Sequence, residues 1–177
     1  MESIDGYELL RSRIRDVADY PKKGIVFKDV TPMLKDKTTF KASVDMLIKA
    51  VSGVSFDYVL GIEARGFIFG AAMAHRLGKG FVPARKKGKL PYKSVSEEYS
   101  LEYGTAALEM HVDAVEKGSK VLIIDDLLAT GGTALAAAKL VEKLGGEVAC
   151  MLFVIELEQL KGREKLKGYK VVSLLKY

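Results

Sequence analysis

Cysteine is almost missing from this chain: 177 residues contain one, Cys150, so no internal disulfide can form. Its neighbours Val148, Ala149, Met151 and Leu152 make it read as a small buried hydrophobe rather than a nucleophile. Long apolar runs are missing too. None reaches the roughly 20 residues that span a bilayer, which excludes a membrane helix. The opening stretch, MESIDGYELL, lacks a cationic segment followed by an apolar one. No secretory leader is therefore expected, and the cytoplasm is the expected location. Neither a low-complexity linker nor a fixed-period repeat appears, and the length suits one domain with a well-buried core.

Positive charge is in modest excess: 28 Lys and Arg stand against 23 Asp and Glu, for a net +5. The excess has two concentrations, Arg85-Lys86-Lys87-Gly88-Lys89 and Lys161-Gly162-Arg163-Glu164-Lys165. Solvated surface, a polyanionic small substrate and a nucleic acid would all fit such patches. Charge alone does not choose among them.

The pattern of apolar residues orders the chain. Leu9, Leu10, Ile14 and Val17 have helix-like spacing over residues 5–17. Pro21 and Gly24 break it, and an extended piece then runs from Ile25 to near Pro32. A helix is expected after Asp36, with Phe40, Val44, Leu47, Ile48 and Val51 on one face. Strands follow over Asp57–Ile62, Phe81–Arg85, Val121–Ile124 and Val148–Ile155, and Leu108, Met110 and Val112 alternate as in a further one. Helices are expected over Gly66–Leu77 and Thr133–Leu144, the second closed by Gly145-Gly146. Strand–helix–strand repetition predicts an α/β fold, a mostly parallel sheet flanked by helices. Ligands of such sheets gather at the carboxyl ends of the strands.

One strand end is especially informative. Val121-Leu122-Ile123-Ile124 leads into Asp125-Asp126, then Leu127-Leu128-Ala129-Thr130-Gly131-Gly132-Thr133 opens a helix. Free N–H groups at a helix start, two glycines and two threonine hydroxyls suit a phosphate. Adjacent carboxylates would repel that phosphate but match the two O–H donors of a vicinal diol, or a hard divalent cation. Phosphate on one side and diol on the other describe a ribose 5-phosphate. The Gly-Lys-Ser/Thr of a P-loop and the G-x-G-x-x-G of a dinucleotide fold are both missing.

This segment resembles the phosphoribosyl pyrophosphate signature of the type I phosphoribosyltransferases. The closer resemblance, over nearly the whole chain, is to the members of that family that use adenine. It rests on residues 21–36 (PKKGIVFKDVTPMLKD), 61–70 (GIEARGFIFG), 85–91 (RKKGKLP), 99–104 (YSLEYG) and 160–165 (LKGREK), in the family's order.

The resemblance implies a type I phosphoribosyltransferase fold, one domain over residues 1–177, with residues about 1–34 as a base-binding hood. The implied activity belongs to purine salvage: adenine and phosphoribosyl pyrophosphate give AMP and pyrophosphate. Asp125 and Asp126 would hold the ribose hydroxyls, and Ala129, Thr130, Gly131, Gly132 and Thr133 the 5-phosphate. Glu63, Ala64 and Arg65 would form the pyrophosphate loop, with a cis Glu63–Ala64 bond, and Arg85 and Lys89 would add charge. Val26, Phe27 and Lys28 would read adenine, Phe27 by stacking; many relatives have Arg where this chain has Lys28.

Relatives that use hypoxanthine or guanine generally place an acid where this chain has Ala129, so proton handling passes to Glu102. That residue lies in a polar stretch, about Lys86–Gly104, long enough to serve as a lid. Arg65 and Glu102 are the implied catalytic pair. Mg2+ is the implied cofactor, bound mainly through phosphoribosyl pyrophosphate, with no protein metal ligands expected. A homodimer is implied, with neither nucleic acid nor membrane as partner. Three alternatives remain at this point: a transferase for xanthine or another purine, a phosphoribosyl pyrophosphate-binding regulator, and a nucleic-acid module.

Overall fold

The computed structural model describes residues 5–20, 22–100 and 105–177. They divide into two compact units, one up to Lys49 and one from Ala50 onward.

The first unit opens with α1 (Gly6–Arg11), where the Asp5 carboxylate accepts the Tyr7 amide at the helix start. The helix-like spacing does not continue to Val17. At Ser12 the hydroxyl turns back onto the Leu9 carbonyl, and Arg15–Ala18 instead forms β1. This strand pairs antiparallel with β2 (Val26–Asp29), fixed by Arg15–Asp29 and Lys28–Asp16 ion pairs. Long-range pairing thus overrides a chance helical period. The extended piece expected up to Pro32 also stops early, because Thr31–Lys35 is a short helix, α2, with Pro32 in its first turn. The helix expected after Asp36 is present as α3 (Lys37–Ala50). The Asp36 side chain caps it by accepting the Thr39 amide at 2.9 Å, and Val44 and Leu47 lie on its buried face.

The second unit is built on a seven-stranded sheet. Its strands are β3 (Tyr58–Ile62), β4 (Gly80–Lys86), β5 (Ser94–Ser100), β6 (Thr105–His111), β7 (Lys120–Leu128), β8 (Glu147–Glu156) and β9 (Val171–Lys176). Their spatial order is β5-β6-β4-β3-β7-β8-β9. The five from β4 to β9 are mutually parallel, and β5–β6 joins one edge as an antiparallel hairpin. Helices α4 (Arg65–Leu77) and α5 (Gly132–Lys143) make the crossovers, and α6 (Gly162–Lys165) follows β8. The parallel strands are apolar runs because both faces are covered: Val121 to Ile124 and Cys150 to Ile155 are buried throughout.

Two parts of the sheet had no counterpart in the sequence pattern. The strand β9 was not foreseen, and the supposed lid stretch contains β5. In β5 the half-buried residues are Val95, Glu97 and Tyr99. A glutamate in the middle of that face hides the alternation, since its counter-charges, Lys139 and Lys143, come from α5. The expected alternation in β6 holds for Leu108 and Met110, whereas Val112 lies beyond the strand and is exposed.

Candidate active site

Four neighbouring parallel strands end on the same edge of the sheet, and each releases a polar loop there. From β3 comes Glu63-Ala64, whose peptide bond is cis, as the resemblance implied, and then Arg65 at the start of α4. Gly66 allows this turn to approach the end of β7: a Cβ there would lie 2.6 Å from the Ile124 carbonyl oxygen and 3.1 Å from Asp125 Oδ1. Pairing of β3 with β7 stops at Gly61 and Ile124, so the next β7 residues, Asp125 and Asp126, meet the start of α4 instead.

The two aspartates have different surroundings. Asp126 is buried and forms an ion pair with Arg65 Nε; its side chain is 4% exposed and that of Arg65 41%. Asp125 accepts the Asp126 amide at 2.9 Å and lines a small cavity with residues 127–134 and Phe153. Burial, and then the adjacent Asp126 charge, push the Asp125 carboxyl well above the usual carboxylate range. Residues expected on ribose and on pyrophosphate are therefore joined by one ion pair.

The cavity beside Asp125 has a volume of about 70 Å³ and is walled by Ala129, Thr130, Gly131, Gly132 and Thr133. Gly131 adopts φ +78° and starts α5, and no side chain caps that helix. A left-handed residue at this point turns successive amides toward one place, with the helix dipole behind them. Such a loop suits an anion.

From β4 comes the basic turn. Arg85 Nε donates to Glu63 Oε2 at 3.2 Å, and its NH1 donates to the Lys89 carbonyl at 2.9 Å. Glu63 also accepts the Lys86 amide. Burial raises its pKa, but the Lys86 amide and the Arg85 guanidinium outweigh that and hold it below the usual range. Glu63 therefore ties the loop after β3 to the basic turn, and its side chain is engaged in that tie.

Three carboxylate residues are less than a tenth exposed among the described residues: Glu109, Asp126 and Glu156. Each is answered at one of these strand-end loops. Asp126 holds Arg65, Glu109 accepts the Gly88 amide at 2.9 Å, and Glu156 forms a two-point ion pair with Arg163. Sequence reasoning missed Glu109, Glu156 and Arg163 as supports. An acid between Leu108 and Met110 looks like the solvent side of a strand, and no local signal reveals the amide that it meets.

The remaining expected residues belong to other stretches of the chain. Val26, Phe27 and Lys28 form most of β2 in the first unit. Phe27 meets Tyr20 edge-on at 5.4 Å between ring centroids, and Lys28 Nζ lies 2.7 Å from Asp16 Oδ1. Glu102 lies outside the described residues. No helix is long and apolar enough to cross a membrane among the described residues.

A Thr-Gly-Gly-Thr loop, a carboxylate pair and an arginine thus gather at the carboxyl edge of a parallel sheet in an α/β protein. The chain belongs to the phosphoribosyl transferase domain family, whose description matches residues 31–176. Within it, the chain is 57% identical over 166 residues to an adenine phosphoribosyltransferase of Thermosipho africanus, covering 94% of this chain and 98% of that protein. A crystal structure of adenine phosphoribosyltransferase from Thermoanaerobacter pseudethanolicus superposes with a TM-score of 0.95 at 57% identity, covering 97% of this chain and 99% of that one. The Saccharomyces cerevisiae enzyme, solved with an imino-altritol bisphosphate and adenine, gives a TM-score of 0.90 at 40% identity, with 96% and 98% covered.

Proposed function

We propose that this protein transfers the phosphoribosyl group of phosphoribosyl pyrophosphate to adenine, releasing AMP and pyrophosphate, as a cytoplasmic enzyme of purine salvage. The observation that carries this reading is the strand-end unit of β7 and α5, where a carboxylate and an anion cradle share one cavity. The cradle of residues 129–133 takes the 5-phosphate, and Asp125 and Asp126 take the ribose hydroxyls. Arg65, at a helix start beside Asp126, grips the departing diphosphate together with the 63–64 loop, Arg85 and Lys89.

A carbon–nitrogen bond forms at the anomeric carbon as the bond to pyrophosphate breaks, and positive charge develops on the ribose ring. Positioning of ribose and neutralisation of the leaving group therefore dominate catalysis. The adenine ring must also shed a proton. With Ala129 in the phosphate loop, Glu102 is the group assigned to that proton. Magnesium bound through the diphosphate would supply charge neutralisation there, held mainly by the substrate's own oxygens and with no protein ligand assigned to it.

Residues up to about 34 serve as the base-binding hood. The Lys28 ammonium is engaged by Asp16, so adenine recognition falls to the Phe27 ring and the backbone of Val26–Lys28. The working form is a homodimer. The test is AMP formation from adenine, phosphoribosyl pyrophosphate and magnesium, beside a panel of other purines. Turnover of hypoxanthine, guanine or xanthine in preference to adenine would refute the assignment, as would no turnover of any base.

A further inference from the structure

The Leu160–Lys165 segment has no role in the reaction described above, yet Gly162 is packed against the loop read as the 5-phosphate site. We infer that this segment is a buttress that sets the shape of the phosphate loop, with Gly162 and Arg163 as positioning residues and Glu156 as their anchor. The inference rests on the reading of residues 129–133 as the 5-phosphate cradle.

Strands β7 and β8 run side by side to their ends, where Leu128 is the partner of Glu156. One more bond, from the Leu157 amide to the Leu128 carbonyl at 2.9 Å, continues the pairing. The chain then makes a single 3-10 turn over Glu158–Leu160 and reverses at Lys161, a non-glycine residue at φ +51°. A side-chain-bearing residue adopts that conformation only where its surroundings enforce it. The reversal brings Gly162 against the back of the phosphate loop.

The contact is one of backbone on backbone. A Cβ on Gly162 would lie 2.2 Å from the Ala129 carbonyl oxygen and 2.9 Å from Leu128 Cδ1. Reciprocally, a Cβ on Gly131 would lie 2.5 Å from the Gly162 carbonyl oxygen. No methyl group fits on either side, so the loop rests on α6 at its hinge glycine. Gly162 does not line the cavity formed by Asp125 and residues 127–134, so it acts through the loop rather than on the ligand.

Arg163 fixes the buttress to the sheet. Its Nε and NH2 donate to the two oxygens of Glu156 at 2.6 and 2.8 Å, and NH1 donates to the Val171 carbonyl at 2.9 Å. A further bond reaches Ser173 Oγ at 3.4 Å. One planar guanidinium thus joins α6 to β8 and β9, a geometry that lysine cannot reproduce. Cradle amides must converge on phosphate oxygens, and a misplacement of about 1 Å costs on the order of a hundredfold in rate.

The experiment compares Gly162→Ala and Arg163→Lys with the wild-type full-length protein. Calorimetry would measure binding of ribose 5-phosphate and of pyrophosphate separately, and kinetics the KM for phosphoribosyl pyrophosphate and for adenine. Ribose 5-phosphate affinity should fall about ten- to hundredfold, with a parallel rise in KM for phosphoribosyl pyrophosphate. Pyrophosphate affinity and KM for adenine should stay within about twofold, since Arg65 and the basic turn stand on other strands. Equal losses for both ligands would assign the segment to general stability and overturn the proposal. So would undiminished ribose 5-phosphate binding in folded Gly162→Ala. Should that variant fail to fold, Arg163→Lys decides by the same two affinities. The binding arm needs no turnover, so a wild type that binds ribose 5-phosphate without making AMP would count against the activity alone.

Discussion

Strands β7 and β8 are neighbours and both end on carboxylates, but the two ends follow opposite rules. At the end of β7, Asp125 and Asp126 are adjacent, like-charged and served by one arginine that binds Asp126. At the end of β8, Glu156 has both oxygens taken by Arg163 and a backbone held behind it. The consequences for protonation differ in sign. Burial and the neighbouring charge raise the Asp125 pKa, whereas burial of Glu156 is outweighed by Arg163 and Ser173, which lower it. A group kept short of partners is one that a substrate can satisfy; a group fully satisfied holds structure. On the proposed reading, the first end binds and the second supports.

The largest effect should come from breaking the support. Arg163→Met leaves Glu156 buried without its guanidinium, which should cost about 3 kcal/mol, the low end of a broken buried pair because Arg163 is partly exposed. For a chain of this size that corresponds to a fall in Tm of roughly 6–12 °C by thermal unfolding at neutral pH. A fall under 2 °C would mean that β8 is not a supporting end.

Breaking the binding end should leave folding intact and reduce chemistry. Asp125→Asn and Asp126→Asn each lose a charge-assisted bond, about 1.5–3 kcal/mol, and kcat/KM should drop roughly ten- to hundredfold. Wild-type kinetics in both would remove the ribose assignment.

The same Asp125→Asn change should make the protein more stable, by about 0.5–2 kcal/mol at pH 7. Because the folded pKa of Asp125 lies above its unfolded value of 3.8, the native state binds the extra proton and stability falls as pH rises through that window. The variant should lose this slope. Glu156 acts in reverse: its contribution is present above its unfolded value of 4.5 and is lost as pH falls through the lowered folded value. Glu156→Gln should therefore flatten the acid side of the stability–pH curve and leave the Asp125 slope. Denaturant titrations across pH 3–8 would separate the two, and matching profiles would contradict the contrast.

The smallest effect calibrates the others. Glu97 on β5 pairs with Lys139 and Lys143, and those lysines are about half exposed. Lys139 and Lys143 hold its carboxyl below the usual range, but solvent screens such pairs. Glu97→Gln should cost under about 1 kcal/mol and fade with added salt. A larger, salt-insensitive loss would place this clamp with the buried supports.

Much of this was legible in the sequence because the signals were local. The apolar runs of β3, β7 and β8, the periodicity of α3, α4 and α5, and the Asp-Asp to Thr-Gly-Gly-Thr succession each lie within one stretch of chain. The N-terminal element was misread because Val17 fell by chance at a helical spacing, while pairing with β2 decided its conformation. The hairpin strand β5 was missed because an inward glutamate needs lysines from α5, more than 40 positions later.

By itself, then, the sequence determined the parallel α/β architecture and the Thr-Gly-Gly-Thr loop after β7 that is proposed to hold a phosphate. Backbone propensity, hydrophobic period and glycine placement act over a few residues and can be read directly. Only the tertiary structure decided that Asp126 takes Arg65, that Glu63 accepts from both Arg85 and Lys86, and that Gly162 packs on Ala129 while Arg163 takes Glu156. Those choices depend on which buried charge meets which partner across strands, and burial makes an unanswered charge too costly to leave.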